Sequence, residues 1–158
     1  DILITEVKSA TKVLGIKPSN LILYQYEVRK FNYERQAILE DMVKLNNQIK
    51  PDLVFMPCEN DVHQDHHTIF QEGLRAFKFT TILCYELPWN NFSLNTVSFI
   101  HLSETQLDTK IKALKEYKSQ AHRSYASEEF IRALAITRGT QIGTRYAETF
   151  EVKRWIIK

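Results

Sequence analysis

Between Asp61 and His67 the chain reads Asp61-Val62-His63-Gln64-Asp65-His66-His67, which places three of its five histidines and two aspartates within seven residues. Imidazole and carboxylate are the donors that Zn²⁺ and related divalent ions prefer. The segment is a loop running into a helix, and at such a junction His63 and His66, three residues apart, can point toward one place. The chemistry on offer is that of a bound divalent metal, which in a catalytic site keeps an open position for water beside three protein ligands. The plainer alternative is a polar, solvated loop in which Asp61 or Asp65 caps the helix and the histidines are incidental. The segment alone supplies one or two ligands and a supporting carboxylate. His101 and His122 are isolated, so the remaining ligands either converge from distant residues or lie in a segment before Asp1.

The elements around this loop determine where it sits. Asp52-Leu53-Val54-Phe55-Met56, between Pro51 and Pro57, is a continuous apolar run, the pattern of a central strand covered on both faces. A helix is expected over residues 32–49, capped by Asn32, with Ile38, Leu39, Met42, Val43, Leu45 and Ile49 on one side. Another follows the histidine loop over residues 66–78, with Ile69, Phe70, Leu74 and Phe77 inward. Strands are expected at residues 21–24, 81–85 and 97–100. Further helices are expected from residue 2 to Gly15, over 104–117 with a Ser103/Gln106 cap, and over 127–138 ending at Gly139. Residues 149–157 mix apolar and charged types and read as an edge strand. Alternating strands and helices define the α/β class with a parallel layout, and such sheets place ligands at the carboxyl ends of their strands, where the histidine loop lies.

At 158 residues, 44% hydrophobic and 25% charged, the chain has the make-up of one globular domain spanning residues 1–158. A formal charge of +2 with basic and acidic residues interspersed speaks against a nucleic-acid partner. No apolar run reaches the roughly 20 residues a membrane span needs, and no secretion signal is visible, so a soluble cytoplasmic protein is expected. Cys58 and Cys84 read as buried free thiols. The chain opens at Asp1 without methionine and already in helical periodicity, which predicts that an N-terminal portion precedes it.

Asp61-x-His63-x-Asp65-His66 after Pro51-Asp52-Leu53-Val54-Phe55 resembles the metal-binding motif of the PIG-L/LmbE family of zinc-dependent N-acetylglucosaminyl deacetylases. The resemblance extends through the Glu6-to-Gly15 helix, Tyr85-Glu86, Lys110-Ile111-x-Ala113-Leu114, Ser119-Gln120, Arg138-Gly139 and Tyr146-Ala147-Glu148-x-Phe150. It implies a Rossmann-like, mostly parallel sheet with helices on both faces, lacking its first strand in this chain. It implies Zn²⁺ as cofactor, with another divalent metal such as Fe²⁺ as the alternative. The family's Ala-His-Pro-Asp-Asp motif, which supplies two ligands and the general base, has no counterpart here.

Carried over residue by residue, His66 is implied as the third metal ligand and His63 as the histidine that acts on the substrate carbonyl or leaving amine. Asp65 is implied as the carboxylate that orients His63 and sets its protonation. Asp61 matches the motif and is expected to shape the turn, support a ligand or contact substrate. Arg29, Trp89 and His122 are candidates for substrate contact, each set against a plainer role: surface charge for Arg29, as for Arg35, and loop anchor for Trp89. The implied reaction removes the N-acetyl group from a small N-acetylglucosamine-type sugar or sugar conjugate. An amidase of a thiol-sugar conjugate or other acylated amine, and a noncatalytic sugar-binding domain, remain the alternatives. Oligomeric state is not legible.

Overall fold

A computed structural model describes residues 2–157. The chain divides into two compact units, Asp1–Tyr24 with Phe99–Glu148, and Gln25–Ser98 with Thr149–Lys158. Its class is α/β, and among the described residues four strands form one mixed sheet in the order β1-β2-β4-β3, with β1 Leu53–Met56, β2 Thr81–Tyr85, β3 Ser98–His101 and β4 Ala147–Arg154. β1 and β2 run parallel with Met56 opposite Cys84, whereas β4 runs antiparallel to β2.

The first unit is helical around Leu102, Leu107, Ile111, Ile131, Ala135 and Tyr146. α1, Ile2–Val13, ends as expected at Gly15: at φ 76° Gly15 donates to Lys12 O while Ile16 donates to Thr11 O, a left-handed closure that glycine adopts freely. α4, Glu104–Lys115, begins with the full capping box, since Gln106 N–H donates to Ser103 Oγ and Ser103 N–H to Gln106 Oε1. α5, Glu128–Gln141, runs through Gly139 and does not end there. A Cβ at Gly139 would come within 2.7 Å of the Arg145 backbone, so this glycine permits a close chain approach, and the turn belongs to Gly143 at φ 71°.

The second unit holds the histidine loop. α2, Arg35–Ile49, packs on α3, Gln64–Ala76, and Asn46 Nδ2 donates to Ala76 O across the pair. Asn32 is not its cap: it lies in a 3₁₀ turn, Phe31–Tyr33, that precedes the helix. The core of this unit is Met56, Cys58, Phe70, Ile82 and Cys84, with Val54, Leu74, Phe77 and Leu94 packed against it. Both cysteines are free and buried as expected, and Cys58 Sγ donates to Tyr85 O at 3.1 Å.

Three strand expectations change. Residues 21–24 belong to none of the described strands, and Ile22, Leu23 and Tyr24 are exposed. β1 lies at the margin of the described sheet, with Leu53 and Phe55 exposed by 42% and 46%. An apolar run sets β propensity, but only a neighbouring ladder makes it a covered strand. β4 lies between β2 and β3, not at an edge. Its charged residues made it read as wet, yet Glu151 is buried and ion-paired.

Candidate metal centre and active site

The histidine loop leaves β1 at Pro57 and enters α3 at Gln64. Its turn closes with Asp61 N–H donating to Cys58 O at 3.3 Å. From there Asp61 divides its carboxylate: Oδ1 accepts the His63 backbone N–H at 2.8 Å, and Oδ2 stands 2.7 Å from His66 Nδ1. The Asp61 side chain is fully buried, while that of His66 is 34% exposed. A carboxylate oxygen accepts, so the proton of the second bond sits on His66 Nδ1 and the Nε2 lone pair remains available to a metal. A carboxylate fixing the far nitrogen of a ligating histidine is how proteins orient such ligands and raise their basicity.

His63 has the opposite arrangement. It is the N-cap of α3, and its Nδ1 accepts the Asp65 backbone N–H at 3.2 Å, which places the ring proton on Nε2. The two rings stack with centroids 4.5 Å apart and planes 25° apart. Adjacent imidazoles thus offer a lone pair from one Nε2 and an N–H from the other.

The orientation of His63 comes from the Asp65 backbone, not from its side chain. The buried Asp65 carboxylate is engaged by the preceding loop, where Arg29 N–H donates to Oδ2 at 2.6 Å and Phe31 N–H to Oδ1 at 3.3 Å. Arg29 is held there in the left-handed region at φ 69°. Sequence reasoning had no sign of this link, because the partners are backbone amides 34 and 36 residues away.

A second loop lies against the first. Residues 87–91 form a turn in which the Asn90 and Asn91 N–H groups both donate to Leu87 O, and Leu87 N–H donates to Asn91 Oδ1. Asp61 and Asn91 form an isolated antiparallel bridge, and Val62 N–H donates to Asn90 O. Trp89, 38% exposed, is carried by this turn beside the histidine loop. Asn91 Nδ2 is, among the described residues, the buried side-chain nitrogen left without a hydrogen-bond partner. Burial, with the charge of Asp61 as the next cause, pushes the Tyr85 hydroxyl up to about 12. The Cys58 thiol is pushed well above its usual range by its contact with Cys84 and by burial, which suits a packing role.

The structure therefore brings Asp61, His63, Asp65, His66, Arg29 and Trp89 into one unit. His122, exposed between two 3₁₀ turns, belongs to the other. Arg35 is engaged by the buried Glu72. Among the described residues no three His, Cys, Asp or Glu side chains gather as a metal site. The donor set fits a metal through His66, steadied by Asp61, with the rest of a coordination sphere to come from elsewhere.

Residues 2–77 match the family described as PIG-L: GlcNAc-PI de-N-acetylase. The N,N'-diacetylchitobiose deacetylase of Pyrococcus horikoshii is similar at TM-score 0.76 and 21% identity over 96% of this chain and 62% of that one. Teicoplanin deacetylase Orf2, in a zinc-inhibited form, is similar at TM-score 0.73 and 16% identity over 99% and 75%. The 4-carboxy-2-hydroxymuconate hydratase GalB of Pseudomonas putida KT2440 is similar at TM-score 0.71 and 16% identity over 100% and 73%. By fold and motif the chain is PIG-L/LmbE-like, and it spans less than two thirds of the chitobiose deacetylase. The fold also carries a hydratase, so the reaction must be argued from the site.

Proposed function

We propose that this protein is a zinc-dependent hydrolase that removes the N-acetyl group from an N-acetylglucosamine-type sugar or sugar conjugate. One observation carries the reading: the stacked His63 and His66 present an N–H and a lone pair side by side. Amide hydrolysis beside a metal needs this combination, a ligand for the ion and a donor for the oxygen that turns negative. Deacetylation is the activity in the description of the matching family and in two of the three structures compared.

Zinc, or Fe²⁺ in its place, would supply a water of lowered pKa and polarise the amide carbonyl. His66 Nε2 would hold the ion, with Asp61 keeping that ring from turning and its lone pair exposed. His63 Nε2–H would donate to the carbonyl oxygen as charge develops there, while the departing amine takes up the proton released by the attacking water, so His63 keeps its own. Asp65 serves this step by fixing His63 through its backbone and by holding Arg29 through its carboxylate. Arg29 is assigned to substrate hydroxyls, Trp89 to stacking on the sugar ring, and His122 to a further substrate contact. The protein acts on a small sugar in the cytoplasm, a reading in keeping with its two free cysteines. Among the described residues no helix is long and apolar enough to cross a membrane.

The test uses the full-length natural protein. Metal analysis should find bound zinc, acetate release should favour N-acetylhexosamines over other acyl amines, and His66→Ala should lose both metal and activity. A metal-free protein whose activity is unaltered in His66→Ala would sink the reading. Preference for a thiol-sugar conjugate would redirect it to the amidase alternative.

A further inference from the structure

Lys153, on β4, stands where three parts of the site's surroundings meet. Its ammonium donates to Glu59 Oε2 at 2.7 Å and to Glu151 Oε1 at 2.6 Å, and lies 5.5 Å from the centre of the Phe70 ring. Glu59 is two residues before Asp61 in the histidine loop. Phe70 is one helical turn beyond His66 on α3. Glu151 passes the link onward, since its Oε2 accepts the Asn95 N–H at 3.2 Å, in the loop that also carries Trp89 and Asn91.

Burial separates this arrangement from an ordinary surface ion pair. The Lys153 and Glu151 side chains are 22% and 6% exposed, whereas Glu59 is 56% exposed. Exposed pairs contribute little, and buried ones carry a desolvation penalty that an apolar pair would avoid. An apolar residue at position 153 could cover Phe70 equally well. What only a cation does here is reach out of the sheet and hold Glu59. With the Asp61–Asn91 bridge, the ties Glu59–Lys153–Glu151–Asn95 close a ring around the two site loops. The carboxylates more than offset the burial that opposes the lysine's charge, and its pKa is held above the usual range.

We propose that Lys153 is a positioning residue: an ammonium clamp that holds the histidine loop and the Trp89 loop to β4 in the arrangement the site uses. What the loops do once held rests on the hydrolase reading.

The experiment is amide hydrogen exchange by mass spectrometry on the full-length protein, paired with zinc affinity by chelator competition. Glu59→Gln cuts the outer arm without orphaning a buried charge. It should speed exchange in residues 58–63, leave 87–95 unchanged and leave the melting temperature near wild type. Lys153→Met keeps the stem on Phe70 but strands Glu151, so the double variant Glu151→Gln/Lys153→Met removes the buried charge as well. It should loosen both loops and weaken zinc by about 10-fold, the lower end of what supporting partners of ligands contribute. Lys153→Arg should restore wild-type exchange. Unchanged exchange in both loops of the double variant would overturn the clamp, and so would loosened loops with wild-type zinc affinity. A wild-type protein that takes up no zinc would sink the hydrolase reading instead, and the exchange data alone would then decide the clamp.

Discussion

Eleven residues apart, Asp61 in the loop that leads into α3 and Glu72 within that helix are two buried carboxylates compensated in opposite ways. Glu72 is fully buried between Arg35, whose Nε donates at 2.7 Å, and Arg75, whose Nη1 donates at 2.6 Å. Asp61 is equally buried, but among the described residues its side chain meets no arginine or lysine: it accepts from a backbone N–H and pairs with one imidazole. A guanidinium is charged at every working pH, so Glu72 is neutralised for good and serves to join α2 to α3. An imidazole can give up its charge, so Asp61 keeps negative potential in reserve for whatever cation its histidine binds. Two residues that look alike in burial are thus built for different ends.

The largest expected effect falls on the permanently paired site. Glu72→Ala removes the shared acceptor of two guanidinium groups whose side chains are 47% and 59% exposed. It should cost about 2–3 kcal/mol in denaturant unfolding, the loss of charge-assisted hydrogen bonds to a buried carboxylate, discounted because the arginines can turn to water. A loss below about 1 kcal/mol would mean that water already serves the arginines, and the contrast would fail on that side. Asp61→Asn should act in the other direction. The amide can still accept one of the two hydrogen bonds, so the fold should survive, whereas zinc affinity should fall about 10- to 100-fold as His66 loses its fixed proton. Chelator competition and thermal melts on the same two variants check this. If Asp61→Asn destabilises as much as Glu72→Ala while zinc binds normally, both carboxylates are structural.

The local half of this contrast was legible in the sequence. Ligand-type residues crowd into residues 61–67, a loop at the end of a clear apolar run, and periodicity placed the helix after it. The division of labour was not legible, because it depends on which ring nitrogen meets which oxygen, and Asp65 meets His63 through the one group every residue shares. Glu72 escaped notice since a glutamate in an amphipathic helix reads as a solvent-facing charge, and Arg35 was read as surface for the same reason. Glu151 and Lys153 misdirected the reading of β4 in the same way: each is polar, but as a pair they sit inside. Gly139 reads as a helix terminator from spacing, and only the Arg145 backbone 2.7 Å from its missing Cβ reveals packing. Local pattern held for the Ser103/Gln106 capping box and the Gly15 helix end, but not for Asn32, which lies in a 3₁₀ turn before α2.

Arg29 gives the smallest expected effect and the finest test of what the histidine loop positions. At φ 69° a non-glycine residue carries strain of about 1–2 kcal/mol, here offset in part by the short bond from its N–H to Asp65 Oδ2. Glycine would occupy this position without strain, so the presence of arginine calls for a use of the side chain. Arg29→Gly should keep or raise stability, by at most about 1 kcal/mol, because relief of strain competes with a more flexible unfolded chain. Arg29→Ala should keep the strain and lie at or slightly below wild type. Both should raise KM for the acylated sugar with little change in kcat if the guanidinium binds hydroxyls in ground and transition state alike. The backbone effect separates the two variants and the side-chain effect unites them. Unchanged KM in both would make Arg29 only the hinge by which Asp65 holds its loop, whereas a fall in kcat without a rise in KM would move the guanidinium to the reacting amide.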